Sequence, residues 1–250
     1  MTLLDRLAAR GRWRTVPAAE KGLVALGMLA VCLTAPPVPA GGLALLALTA
    51  LAVGPAGVPW RPFLAVLAVP LGLLAATLPL LLVAVTWDGG PQVAWAADGP
   101  ERAAALMGRA AGGAAALAFL ATTTPVGQVL GLLRRWRVPA AVLEVALVTY
   151  AQAGTLMTAA VRGHRAQAAR LGTVGVMRRL RSAGMLAAGL LRHGLHHARA
   201  LETGLAARGY RGPMPTLDTQ RRARPTRLLA GAAAVAAHAA AAVALGGGLS

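Results

Sequence analysis

Apolar residues run almost unbroken along this chain, and charged residues fall at a few well-separated places. From Gly22 to Trp60 there is no charged side chain. As a helix that stretch would be roughly 58 Å long, about twice the ~30 Å hydrocarbon core of a bilayer. Its middle reads Ala35-Pro36-Pro37-Val38-Pro39-Ala40-Gly41-Gly42. No intact helix crosses such a segment, because each proline lacks an amide hydrogen and clashes with the preceding turn. The pattern predicts two short spans, near 20–36 and 41–56, joined by a tight turn. A third is expected over 62–85, kinked at Pro70 and Pro79, and a fourth over 103–122, where Gly108-x-x-x-Gly112 permits close helix approach. The fifth, 228–245, is mostly alanine. Arg109, inside the fourth, is read as snorkelling to the nearer interface, and His238, near the centre of the fifth, as a packing or hydrogen-bonded residue.

A different period appears after residue 175. Met177, Leu180, Gly184, Ala187, Leu191, Gly194, Ala198, Leu201 and Leu205 recur every three or four residues, with Arg178, Arg181, Ser182, Arg192, His193, His196, Arg199 and Glu202 between them. This is the stripe of an amphipathic helix about 45 Å long. An earlier helix, from about 140 to 169, precedes it, and Gly172 and Gly175 break the two apart. The fold class is therefore all-α: a polytopic membrane protein with about five transmembrane helices and two long amphipathic cytoplasmic helices. The expected divisions are an N-terminal segment 1–19, a four-span region 20–138, an embedded and cytoplasmic helical region 139–225, and a C-terminal transmembrane helix 226–250.

Composition supports the membrane reading. Of 250 residues 57% are apolar and 13% charged, and the mean hydropathy is +0.61; a soluble domain carries about a quarter charged residues. The charge is lopsided, with 25 Lys plus Arg against 8 Asp plus Glu. Cations mark the cytoplasmic side. Arg6, Arg10, Arg12, Arg14 and Lys21 therefore place the N-terminus in the cytoplasm of a multi-pass plasma (inner) membrane protein. A secretory signal peptide is the competing reading, opposed by Asp5 and Glu20. The uncharged proline turn lies outside, Arg61 inside, the loop with Asp88, Asp98 and Glu101 outside, and Arg134-Arg135-Trp136-Arg137 inside. Parity then bears on 140–161. Basic clusters flank it on both sides, so it is read as a membrane-embedded or interfacial helix rather than a clean span.

Several chemistries are excluded. A P-loop needs Gly-Lys-Ser/Thr, and the only lysine, Lys21, precedes Gly22. No Ser–His–acid set, paired carboxylates or His-Glu-x-x-His occurs, and one cysteine, Cys32, builds no multi-cysteine metal site. His193, His196 and His197 have chelating spacing, but Arg192 and Arg199 beside them repel a cation, and they are read as a solvated face. Only Tyr210 is aromatic in the basic region, so nucleic acid is not the expected partner. Attraction to anionic lipid is, at about 1 kcal/mol per nearby cation. The reading assigns no catalytic residue, no cofactor and no resident metal.

The tip of the second long helix, Ala207-Arg208-Gly209-Tyr210, has the form of a helix C-terminus with glycine at the cap. With Thr124-Pro125, Val138-Pro139, Arg165-Ala166-Gln167-Ala168-Ala169-Arg170, the N-terminal Leu4-Asp5-Arg6-Leu7-Ala8 and Trp13, and Pro17-Ala18-Ala19-Glu20-Lys21, it resembles the transmembrane T component of energy-coupling-factor transporters, cobalt type. The resemblance implies a non-catalytic coupling subunit. Two coupling helices, each ending in Ala-Arg-Gly, would dock on two P-loop ATPase subunits, and a separate membrane protein would capture the substrate: cobalt, with nickel or a vitamin as alternatives. The coupling residues would be Ala207, Arg208 and Gly209 in one motif and Ala169, Arg170 and Gly172 in the other. The latter carries an extra Leu171, which leaves either Arg170 or Leu171 in the working place, Arg170 being preferred. A membrane scaffold recruiting a cytoplasmic partner without transport is the other class of function this sequence allows.

Overall fold

Prolines set where most of the helices begin. The computed structural model describes residues 7–8, 11–87, 91–95, 98–170, 172, 174–210 and 223–247. In it α1 (Ala18–Thr34) follows Pro17, α2 (Pro37–Val53) follows Pro36, and α3 (Trp60–Leu82) follows Pro59. A missing amide costs nothing in a first turn, where that amide has no intrahelical partner. The strands β1 (Val83–Trp87) and β2 (Pro91–Trp95) come next, then α4 (Gly99–Thr123) and α5 (Val126–Arg135). They are followed by α6 (Ala140–Ala169), α7 (Val176–Ala207) and α8 (Pro225–Gly247). Leu4, Asp5, Arg6, Arg10, Asp88 and Leu171, used in the sequence reading, lie outside the described residues.

The chain divides into two compact units, residues 3–132 with 219–250 and residues 133–218 with 1–2. In the first, α4 packs against α1, α2 and α3, and α8 lies on α1 and α2. Small side chains fill its interior: Ala25, Ala44, Ala52, Ala115, Ala116 and Ala118 surround Cys32, Leu48, Phe63 and Phe119. Large ones point outward, among them Leu46, Val69, Leu73 and Leu229. A water-soluble bundle has the opposite arrangement. In lipid, outward leucine costs nothing and small residues let helices approach closely. Trp60–Pro79, Gly99–Thr123, Ala140–Ala169 and Pro225–Gly247 are each long and apolar enough to cross a membrane, and the shorter Pro37–Val53 is apolar throughout. The protein is a multi-pass membrane protein.

Two details differ from the sequence expectation. The third helix stops at Leu82 rather than Val85, because Val83-Ala84-Val85-Thr86-Trp87 pairs antiparallel with Pro91–Trp95, in register Val83↔Trp95 to Trp87↔Pro91. β-Branched and aromatic residues favour the extended state that an apolar count cannot separate from helix. The second helix also begins at Pro37 rather than near 41, so Pro37 and Pro39 sit in its first turn and the break is confined to Ala35–Pro36.

The end of α5 holds an unusual backbone. Arg137 has φ 62°, the one positive value at a non-glycine residue among those described. Its amide donates to Arg134 O, and the Val138 amide to Leu133 O. These are the two bonds of a Schellman motif, whose left-handed position normally carries glycine. A left-handed conformation costs an L-residue about 1–2 kcal/mol, so Arg137→Gly is expected to stabilise the protein by about 1 kcal/mol. A higher melting temperature in detergent checks this; a fall would show that the Arg137 side chain outweighs its backbone strain.

Candidate functional site

The unit 133–218 is built on an antiparallel pair of long helices, α6 of 30 residues and α7 of 32. Contacts run along its whole length. The Tyr210 hydroxyl donates to the Glu144 carboxylate at one end, Gly194 faces Leu156 and Gly163 faces Leu186 between, and Gln167 meets Ser182 at the other. The Glu144 carboxylate, by accepting that hydrogen, raises the Tyr210 phenol above its ordinary pKa. At 1.5 Å per residue α7 is a rod of about 48 Å.

The turn between the helices is pinned by side chains. Ser182 is the buried residue of α7. Its hydroxyl donates to Gly172 O at 2.9 Å, and the Gln167 amide nitrogen donates to Ser182 O at 2.9 Å. A Cβ on Gly172 would lie 2.9 Å from both Gln167 O and Ser182 Oγ, so only glycine fits without a shift.

Which face of α7 is covered corrects the sequence analysis. Met177, Leu180 and Leu191, from the periodic stripe, are 78%, 68% and 67% exposed. The covered positions are Ser182, Leu186, Gly189, Leu190, Gly194, Leu201, Gly204 and Leu205. The predicted stripe is therefore split: Met177, Leu180, Gly184, Ala187, Leu191 and Ala198 are open, while Gly194, Leu201 and Leu205 are covered together with Leu186 and Leu190 from outside it.

The coupling residues expected from the resemblance stand at the two ends of this pair. At the far end of α7, Arg208 is the C-cap, with φ −90° and ψ 8°. The Gly209 amide donates to Ala206 O at 3.0 Å and the Tyr210 amide to Leu205 O at 3.1 Å. Gly209, at φ 71°, takes the left-handed place of a complete Schellman motif. The Arg208 guanidinium is exposed and folds back onto Gly204 O at 3.1 Å, favourable at the negative end of the helix dipole. At the end of α6, Arg170 is likewise the C-cap, with φ −97° and ψ 22°. There the Gly172 amide donates to Gln167 O at 2.9 Å, the bond that Tyr210 makes to Leu205 at the other end. Ala169–Arg170 and Ala207–Arg208 thus occupy the same two backbone positions, last helical residue and cap. Gly172 matches Tyr210 rather than Gly209 in this register, while Leu171 lies outside the described residues.

His193, His196 and His197 are exposed on α7, and the rings of His193 and His197 stack with centroids 6.3 Å apart. His193 lines an open cavity of about 570 Å³ with Thr155, Thr158 and Arg162. Among the described residues no three His, Cys, Asp or Glu side chains are grouped to hold a metal ion.

The bundle unit contains a constellation that the sequence did not reveal. Lys21 and Glu20 are buried, at 1% and 7% exposure, although Lys21 counts in the sequence as one of the surface cations that set topology. The same first turn of α1 gathers Trp13, packed edge-on against Phe119 with centroids 6.0 Å apart, and the Thr123–Gln128 junction of α4 and α5. The N-terminal and central segments of the resemblance therefore meet here in space.

A family model described as cobalt transport protein, CbiQ, matches residues 10–218. The cobalt transport protein CbiQ of Rhodobacter capsulatus is 45% identical over 222 residues, covering 89% of this chain and 90% of its own. That of Salmonella typhimurium is 27% identical over 222 residues, covering 85% and 98%. An uncharacterised protein of Methanocaldococcus jannaschii is 30% identical over 122 residues, covering 49% and 46%.

Proposed function

Because the chain belongs to the CbiQ family of cobalt transport proteins, we propose that it is the energy-coupling membrane subunit of an ATP-driven cobalt importer of the energy-coupling-factor class. The N-terminus and α7 lie in the cytoplasm, and α6, membrane-embedded or interfacial over 140–161, continues into it. Arg170 and Arg208 each enter a groove on one of two ATPase subunits, and substrate is captured by a separate membrane protein. The observation that carries this reading is the repeated cap. Two arginines with the same cap geometry stand at opposite ends of one antiparallel pair, each on the last turn of its own helix. Two equal grooves that move together on ATP binding are served by such a pair, whose rods are long and whose ends are alike. The apolar stripe of Met177, Leu180 and Leu191 leaves α7 a face for another chain.

Copurification from membranes tests this. The wild-type chain is expected to retain two ATPase subunits and to support uptake of radiolabelled cobalt. Two attachment points gain about 10²–10⁴ in avidity over one, so Arg170→Glu is expected to weaken ATPase retention about 100-fold at unchanged membrane level. Retention of a non-ATPase partner with no ATP-dependent uptake would instead establish a scaffold. Normal retention by the Arg170 variant would remove Arg170 from the interface.

A further inference from the structure

Two adjacent side chains at the start of α1 reach in different directions and hold the two internal places where the chain passes from one compact unit to the other. Lys21 is one of the largest fully buried side chains among the described residues. An ammonium has three donors and no acceptor, and Lys21 Nζ finds three oxygens: Thr123 O at 2.7 Å, Gln128 Oε1 at 2.9 Å and Trp13 O at 3.2 Å. Thr123 ends α4, and Gln128 lies in the first turn of α5, the helix that carries the chain across residue 132. The Gln128 amide nitrogen in turn donates to Arg14 O. Glu20 accepts from the Arg224 amide at 3.0 Å and lies 3.8 Å from the Arg227 guanidinium, where the chain has returned past residue 218 and enters α8.

A buried lysine and a buried glutamate are expensive ways to fill space; apolar residues of similar volume serve stability as well or better. What a charged group held by several directional bonds supplies is a fixed position. Both chain crossings are therefore fastened to one turn of one helix. We infer that Glu20 and Lys21 form the anchor at which movement of the coupling helices is delivered to the transmembrane bundle, acting as positioning residues and not as a binding site. This rests on the coupling function proposed above. With the anchor intact, α5 and the start of α8 move the ends of α1 and α4; with it cut, the links move and the bundle stays.

The test uses the full chain assembled with its ATPase and substrate-capture partners in proteoliposomes, and reads cobalt transported per ATP hydrolysed. A purely structural defect lowers the amount of complex but leaves this ratio alone. Lys21→Met and Glu20→Gln are expected to keep ATPase copurification and ATP hydrolysis within about twofold of wild type while the ratio falls about tenfold. An unchanged ratio overturns the inference, whether or not yields fall. Should Lys21→Met fail to accumulate, Gln128→Leu decides, because it removes one acceptor and leaves two: a lowered ratio supports the anchor and a wild-type ratio overturns it. Failure of the underlying coupling function looks different, since the wild-type chain would then retain no ATPase at all.

Discussion

Replacement of Arg208 by glutamate is expected to abolish cobalt uptake and ATPase association while the protein remains in the membrane at its normal level. Arg208 is exposed, and within the chain its guanidinium meets the Gly204 carbonyl of its own helix. Its loss removes one exposed hydrogen bond, worth about 1 kcal/mol or less, so the fold survives. The cap survives as well, because Gly209 and Tyr210 close the helix through their own amides. In an acidic groove the balance is different. A charge-assisted bond to a buried partner costs about 2–5 kcal/mol when broken, and reversal adds repulsion between like charges. At 1.4 kcal/mol per decade, association falls by about 100-fold or more. Binding of purified ATPase to the chain in nanodiscs, measured beside membrane abundance, checks both halves. Equal ATPase affinity in the variant would sink the coupling role of this end.

Most element boundaries were legible because proline and glycine act locally. Pro17, Pro36, Pro59 and Pro139 precede their helices and Pro225 opens its own, wherever the tertiary structure puts them. The glycine cap at Gly209 was legible for the same reason. Features that depend on a partner element were not. Period alone gave α7 a buried face, yet only its members Gly194, Leu201 and Leu205 are covered, and Leu186 and Leu190 are covered from outside it; α6 makes that choice through Gly163 and Leu156. The burial of Lys21 depends on carbonyls more than 100 positions away, which no local pattern encodes. Backbone geometry adds what spacing lacks: the bond from the Gly172 amide to Gln167 O places Arg170 at the cap position that Arg208 holds, which supports the proposed preference for Arg170.

Gly108→Ala is expected to prevent accumulation of folded protein, although it adds a single methyl group. The facing surfaces of α2 and α4 are built of small and apolar residues, so lipid offers no strong drive to press them together; their contact depends on how closely the backbones approach. At this crossing they approach to the limit. A Cβ on Gly108 would lie 2.2 Å from Pro37 O and 3.0 Å from Val38 Cα, and one on Gly41 would lie 1.8 Å from Gly108 O. The obstacles are backbone atoms on both sides, which cannot rotate away as a side chain would. The helices must separate, and Ala44, Leu48, Ala115 and Phe119 beneath the crossing lose their packing together. Overpacking a core costs about 1–3 kcal/mol where side chains can yield, and here none can. Gly113, on the same helix, provides the control. Its Cβ would meet the end of the Leu29 side chain at 3.4 Å, and alanine is favoured over glycine inside a helix by about 0.5–1 kcal/mol. Gly113→Ala should therefore accumulate and melt at least as well as wild type. Membrane yield and thermal stability of fluorescent fusions of the two variants distinguish close packing from a general intolerance of alanine in α4: equal loss in both would show that the Gly108–Gly41 approach is not what holds the bundle.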